Sequence, residues 1–78
     1  MKNIGKNIRI IREIKDLTQE GLAKLTGYSQ RHISRLENNQ SPINEKCLNS
    51  IAKALDISKD EIKKLDETSF LEYIKHLD

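Results

Sequence analysis

Residues 18 to 37, TQEGLAKLTGYSQRHISRLE, constrain this chain more than any other stretch. They hold two short helical patterns, each opened by a hydroxyl residue, Thr18 and Ser29, suited to capping a helix start. Gly27 stands between them and supplies the positive φ at which a helix ends. Helices this short are not stable alone in water. They must pack on each other and on a core made elsewhere in the chain. The second pattern contributes little to that core. At about 100° per residue, Ile33 and Leu36 lie roughly 60° apart and define its buried side. Arg31, Ser34, Arg35 and Asn38 project from the opposite side, Gln30 stands at the exposed first turn, and His32 sits at the flank.

The rest of the chain also reads as helix. No stretch alternates apolar and polar residues for long, and β-branched residues other than Ile are scarce. A first helix runs roughly from Asn3 to Lys15, with Ile4, Ile8 and Ile11 as its core stripe and Ile10 and Ile14 as a second, offset stripe. Leu22, Ala23 and Leu25 point inward from the second helix. Tyr28 and Ile33 have the spacing of a hydrophobic staple around the Ser29 cap. NNQSP, residues 38 to 42, is a loop by composition. A fourth helix starts near Asn44 and buries Leu48, Ile51, Ala52 and Leu55. Ser58 and Glu61 form a capping-box pair for a fifth, with Ile57 and Ile62 as its staple. TSFLEYIKHLD, residues 68 to 78, places Phe70, Leu71, Ile74 and Leu77 on one face of a sixth. The expected architecture is all-α. Residues 1–66 form one domain containing the helical pair 18–37, and residues 67–78 form an amphipathic helix for packing or dimerisation.

With 78 residues, the chain is near the lower size limit for a self-sufficient core. Its longest apolar runs are pairs, which predicts no membrane span and no signal-peptide core. Cys47 is the one cysteine, so no internal disulfide forms, in keeping with a reducing cytosol. Cys47, His32 and His76 are far from any ligand spacing, so no metal is expected. No nucleophile–base set or phosphate loop appears. No catalytic residue and no cofactor is therefore assigned, and an enzyme is disfavoured. The chain is also too short to add a sensor domain, so ligand control is not indicated.

The net charge of +2 conceals a split. Residues 1 to 40 hold eight Lys or Arg against four acids, whereas residues 41 to 78 hold six Lys against eight acids. All four arginines lie in the first half. Such asymmetry suits an N-terminal half that faces an anion, while on charge alone an ordinary solvated surface with uneven charge remains the favoured reading. Arg matches a guanine edge bidentately and Gln matches adenine. A helix held by one narrow stripe can lie in a major groove. The second helix has free backbone N–H groups at its start, beside Gln19, which suit a phosphate. Spacing alone leaves open a plainer reading, an exposed polar helix with solvated arginines.

Gln19, Ala23, Gly27 and Ile33 fall in the spacing Q-x3-A-x3-G-x5-I, within LTQEGLAKLTG and SQRHISRLEN, and IAKALDIS follows at residues 51 to 58. On these residues the chain resembles the phage repressor/Cro-like helix-turn-helix family, often called the XRE family, over roughly residues 4 to 65. The resemblance implies a five-helix, lambda-repressor-like DNA-binding domain, here with a short C-terminal sixth helix. It implies a homodimer on a palindromic operator in double-stranded DNA, hence a cytoplasmic, nucleoid-associated transcriptional regulator. It assigns base reading to Gln30, Arg31 and Arg35, with Ser34 beside them. It assigns phosphate contacts to Gln19, Asn38 and the following loop, Asn39 and Gln40, and Ser29 and His32 stand at the margins of that surface. It pairs Arg12 with Glu37 as a structural ion pair.

Two positions depart from the family pattern. Gly21 lies where a better helix former is usual, and Asp56 lies where a glycine usually follows the fourth helix. Lys2, Lys6 and Arg9 read equally as phosphate contacts or as a solvated face. Cys47 reads as a small, partly buried apolar residue, and Tyr28 as packing at a helix start. The alternative function is an antitoxin or adaptor-type protein-binding module on the same fold. The acidic balance of the second half and its apolar tail keep that reading open behind the leading one, and the sequence does not identify the protein partner.

Overall fold

The computed structural model describes residues 3–65, which form five helices. In chain order these are α1 (Ile4–Ile14), α2 (Gln19–Thr26), α3 (Gln30–Glu37), α4 (Glu45–Leu55) and α5 (Lys59–Lys64). Every start is capped by a side-chain oxygen. Asn3 accepts from the Lys6 backbone N–H, Thr18 from Gly21, Ser29 from His32, Asn44 from Cys47 and Ser58 from Glu61. Each cap satisfies one of the backbone donors that a helix leaves unpaired at its first turn. α2 ends at Gly27 with φ 81°, as the sequence requires. α4 ends at Asp56, which takes the left-handed conformation at φ 55°. The expected sixth helix, with Phe70, Leu71, Ile74 and Leu77, lies outside the described residues, as do Lys2 and His76.

α2 and α3 pack on each other, α1 crosses α3, α4 backs α2, and α5 closes on α1 and α4. The core between them contains Ile8, Ile11, Leu22, Ile33, Leu36, Ile51, Leu55 and Ile62, all but sealed from solvent. Ile4, Ile10 and Ile57 pack half-buried at its margin, and Ile14 is half-buried as well. Cys47 is buried, deeper than expected. Leu25 corrects an expectation, because it is 60% exposed. Its neighbours Leu22 and Ala23 are both buried and centre the inward face of α2 between them. At about 100° per residue, Leu25 then falls roughly 110° from that centre.

Two contacts fix α1 and have no local signature. Gly5 is buried against the end of α3, and a Cβ there would collide with the Leu36 carbonyl oxygen and crowd that of Glu37. Asn7 is buried too, and its Nδ2 donates to the Ile62 carbonyl at 2.8 Å, tying α1 to α5. Gly21 makes no comparable approach. A Cβ there would meet only the Thr18 hydroxyl at 3.3 Å and Leu17 Cδ2 at 3.5 Å, so nothing in the packing explains the glycine. On the surface, Glu45 accepts from Lys63 at 2.8 Å and Lys59 at 3.2 Å, which joins α4 to α5. These two ammonium groups, Lys63 foremost, hold the Glu45 carboxyl below its ordinary pKa. No described helix is long and apolar enough to cross a membrane.

Candidate nucleic-acid interface

α3 is gripped from one side. Ile33 and Leu36 are fully buried beneath it, and Glu37 is buried at its last position. On its other side Gln30, Arg31 and Arg35 are exposed and Ser34 is half-buried. The four arginines divide accordingly. Arg9 pairs with Glu13 at 2.9 Å and Arg12 with Glu37 at 2.7 Å. Arg31 and Arg35 have no ion-pair partner among the described residues. The N-terminal cap at Ser29 starts the helix so that these side chains fall opposite the Ile33–Leu36 stripe.

The expected Arg12–Glu37 pair is present, and it is larger than a pair. Arg12 Nε donates to Glu37 Oε2 at 2.7 Å and Nη2 donates to Oε1 at 3.1 Å, a bidentate fork. Arg12 Nη1 donates to the Leu17 carbonyl at 2.7 Å, and Gln19 Nε2 donates to Glu37 Oε1 at 3.1 Å. The Glu37 side chain is 1% exposed and that of Arg12 10%. The buried Arg12–Glu37 pair therefore joins α1, the turn before α2, the first residue of α2 and the last residue of α3, Arg12 holding the turn and Glu37 holding Gln19. The sequence suggested the two charges but held no sign of Leu17 or Gln19 joining them.

The remaining expected phosphate contacts are also preset by short bonds. Ser29 Oγ accepts from the His32 N–H at 3.0 Å, which leaves its hydroxyl hydrogen free to donate. The His32 ring meets Tyr28 edge-on, with centroids 5.0 Å apart at 74°. Tyr28 packs at the core margin, and loss of solvation foremost, with the Cys47 thiol beside it, pushes its phenol above the ordinary value against the opposing effect of Ser50. Asn38 caps α3, and its Nδ2 donates to the Ser34 carbonyl at 2.9 Å. Asn39 takes φ 58°, and its Nδ2 donates to Asn3 Oδ1 at 2.7 Å. The Gln40 backbone N–H donates to the Arg35 carbonyl at 2.8 Å, and its side chain is exposed. Asn3 is the residue that sequence reasoning missed here. The sequence places it as the start of α1; in the structure it caps α1 and also accepts from Asn39 across the fold.

The start of α2, the open side of α3 and the loop after it thus carry hydrogen-bond donors on backbone set by caps and buried bonds. Comparison with known proteins places the fold. The family model described as Helix-turn-helix matches residues 8–62. Antitoxin PezA of Streptococcus pneumoniae serotype 4 is 36% identical over 55 residues, which cover 70% of this chain but 35% of that protein. The chain therefore spans about a third of that relative's length. The uncharacterized HTH-type transcriptional regulator y4dJ of Sinorhizobium fredii is 36% identical over 70 residues, covering 88% of this chain and 91% of that one. Among solved structures, the P22 c2 repressor in complex with a synthetic operator matches with a TM-score of 0.73 at 32% identity, over 85% of this chain and 100% of that one. With five capped helices, a glycine turn between α2 and α3 and a family match across most of its length, the chain belongs to the helix-turn-helix family.

Proposed function

We propose that the chain is a sequence-specific transcriptional regulator that binds double-stranded DNA as a homodimer, with α3 in the major groove. The observation that carries this reading is the two-sidedness of α3. It is fixed below by Ile33, Leu36 and Glu37, while Arg31 and Arg35 are exposed above and have no ion-pair partner among the described residues. The operator complex of the P22 c2 repressor and the regulator y4dJ support it. Gln30, Arg31, Ser34 and Arg35 read base edges. Gln19, Ser29, His32, Asn38, Asn39 and Gln40 contact phosphates, and Arg12 with Glu37 sets the angle of α3. A single such helix reads too few bases for useful specificity, and a two-fold dimer places two of them ~34 Å apart on successive groove turns. Residues 1–66 form the DNA-binding domain, and residues 67–78 serve packing or dimerisation. The place of action is the cytoplasm, on the nucleoid, and the chain has no catalytic role.

The similarity to PezA favours a second reading, in which the same domain also grips a protein partner, as an antitoxin does. Selection of bound sequences from a random DNA pool, followed by footprinting, tests the first. The expected result is a palindromic site with half-site centres about 10–10.5 base pairs apart or a multiple of that. A pool with no enriched sequence would overturn it.

A further inference from the structure

Gln19 is the first residue of α2 and is half-buried. Its backbone N–H and that of Glu20 are the free donors at this helix end, because Gly21 N–H is taken by Thr18 Oγ1 and Leu22 N–H by the Thr18 carbonyl. A carboxamide has two unlike ends, an oxygen that only accepts and a nitrogen with two hydrogens. If its oxygen faced a phosphate, acceptor would meet acceptor. What decides its orientation is Glu37, whose Oε1 receives Gln19 Nε2 at 3.1 Å. An ionised carboxylate has no hydrogen to donate, so it admits the nitrogen end alone. One N–H of Gln19 is used on Glu37, and the second remains for an acceptor outside the protein.

We propose that Glu37 is a positioning residue for phosphate binding: its carboxylate holds the Gln19 carboxamide by the nitrogen, so that the second N–H joins the backbone donors of α2 on one DNA phosphate. This rests on Gln19 as a phosphate contact. Arg12 anchors the arrangement from α1 by holding both carboxylate oxygens. The residue that ends the base-reading helix thereby also orients the backbone contact made by its neighbour. Sequence reading and register on the phosphate chain are coupled through one side chain.

A double-mutant cycle on the full chain tests this, with Gln19→Ala, Glu37→Gln and the pair, each confirmed folded by circular dichroism. Affinity is measured for the selected duplex and for a random duplex. Gln19→Ala is expected to weaken both by about tenfold, the size of one hydrogen bond to a charged group. The double variant is expected to bind no more weakly than Glu37→Gln alone. If the two losses multiply, Glu37 does not act through Gln19 and the proposal fails. If Gln19→Ala changes nothing while the wild type binds, Gln19 is no phosphate contact and the proposal falls with that assignment. If the wild type binds neither duplex, the regulator reading fails as well. Nitrogen–proton NMR of the free protein gives a readout without DNA. The Gln19 side-chain amide protons are expected to stand apart from free-amide positions and to return to them in Glu37→Gln. No change there would overturn the link. Should Glu37→Gln not fold, Glu37→Asp takes its place, since it keeps the charge for Arg12 and withdraws the oxygen from Gln19.

Discussion

The two sides of α3 follow opposite rules. Beneath it, Ile33 and Leu36 are sealed and both Glu37 oxygens receive donors. Above it, Gln30, Arg31 and Arg35 stand in solvent, and neither arginine has an ion-pair partner among the described residues. A buried polar group without a partner is costly, so the lower side is fully bonded. An exposed guanidinium is satisfied by water and gives that water up when a better acceptor arrives. The lower side should therefore control stability and the upper side recognition, and substitutions should separate the two.

The sharpest break should come at Glu37. Glu37→Ala orphans the buried Arg12 guanidinium, and urea unfolding should report a loss of ~3–5 kcal/mol. A loss under ~1 kcal/mol would place the pair with surface salt bridges and remove the distinction. Next is Gly5→Ala, which drives a methyl into the last carbonyls of α3. Overpacking of this kind costs ~1–3 kcal/mol, seen as a lowered midpoint in the same measurement. An unchanged midpoint would mean that α1 and α3 separate freely.

Arg35→Ala examines the upper side. Its stability should stay within about 0.5 kcal/mol of wild type. Its discrimination between operator and random DNA should fall by ~1–3 kcal/mol, measured by competition binding. Equal losses on both DNAs would make Arg35 a phosphate contact. The smallest effect is expected away from α3. Asp56 sits at φ 55°, where glycine is unstrained, so Asp56→Gly should raise stability by up to about 1 kcal/mol and leave DNA affinity alone. A lowered melting temperature would show that the Asp56 side chain stabilises this helix end.

Helix starts were legible because a cap acts within three residues of itself. Thr18, Ser29 and Ser58 each read correctly from their own neighbourhood. The core of α3 was legible for the same reason, since Ile33 and Leu36 share one short helix. Long-range bonds were not. Asn39 reaches back 36 residues to Asn3, and a sequence pattern has no term for a bond of that kind. Gln19 was readable as a donor at a helix start, but its partner Glu37 lies 18 residues on. Leu25 is exposed despite its hydrophobicity because Leu22 and Ala23 centre the buried face of α2. Gly5 leaves no mark in the sequence, because a missing side chain gains meaning only when the neighbouring helix is in place.

The Asn7–Ile62 bond has a consequence for how the protein is made. Its two residues are 55 apart, so α1 gains this bond only once α5 has been made. α2 and α3 are neighbours in sequence and can associate early, since closing a short loop is fast. α5 packs on α1 and brings Ile62 into the core that also holds Ile8 and Ile11. A nascent chain that stalls after α4 already holds the Gly5 approach and the Arg12–Glu37 fork that set α1 on α3, yet it lacks the bond that ties α1 to α5.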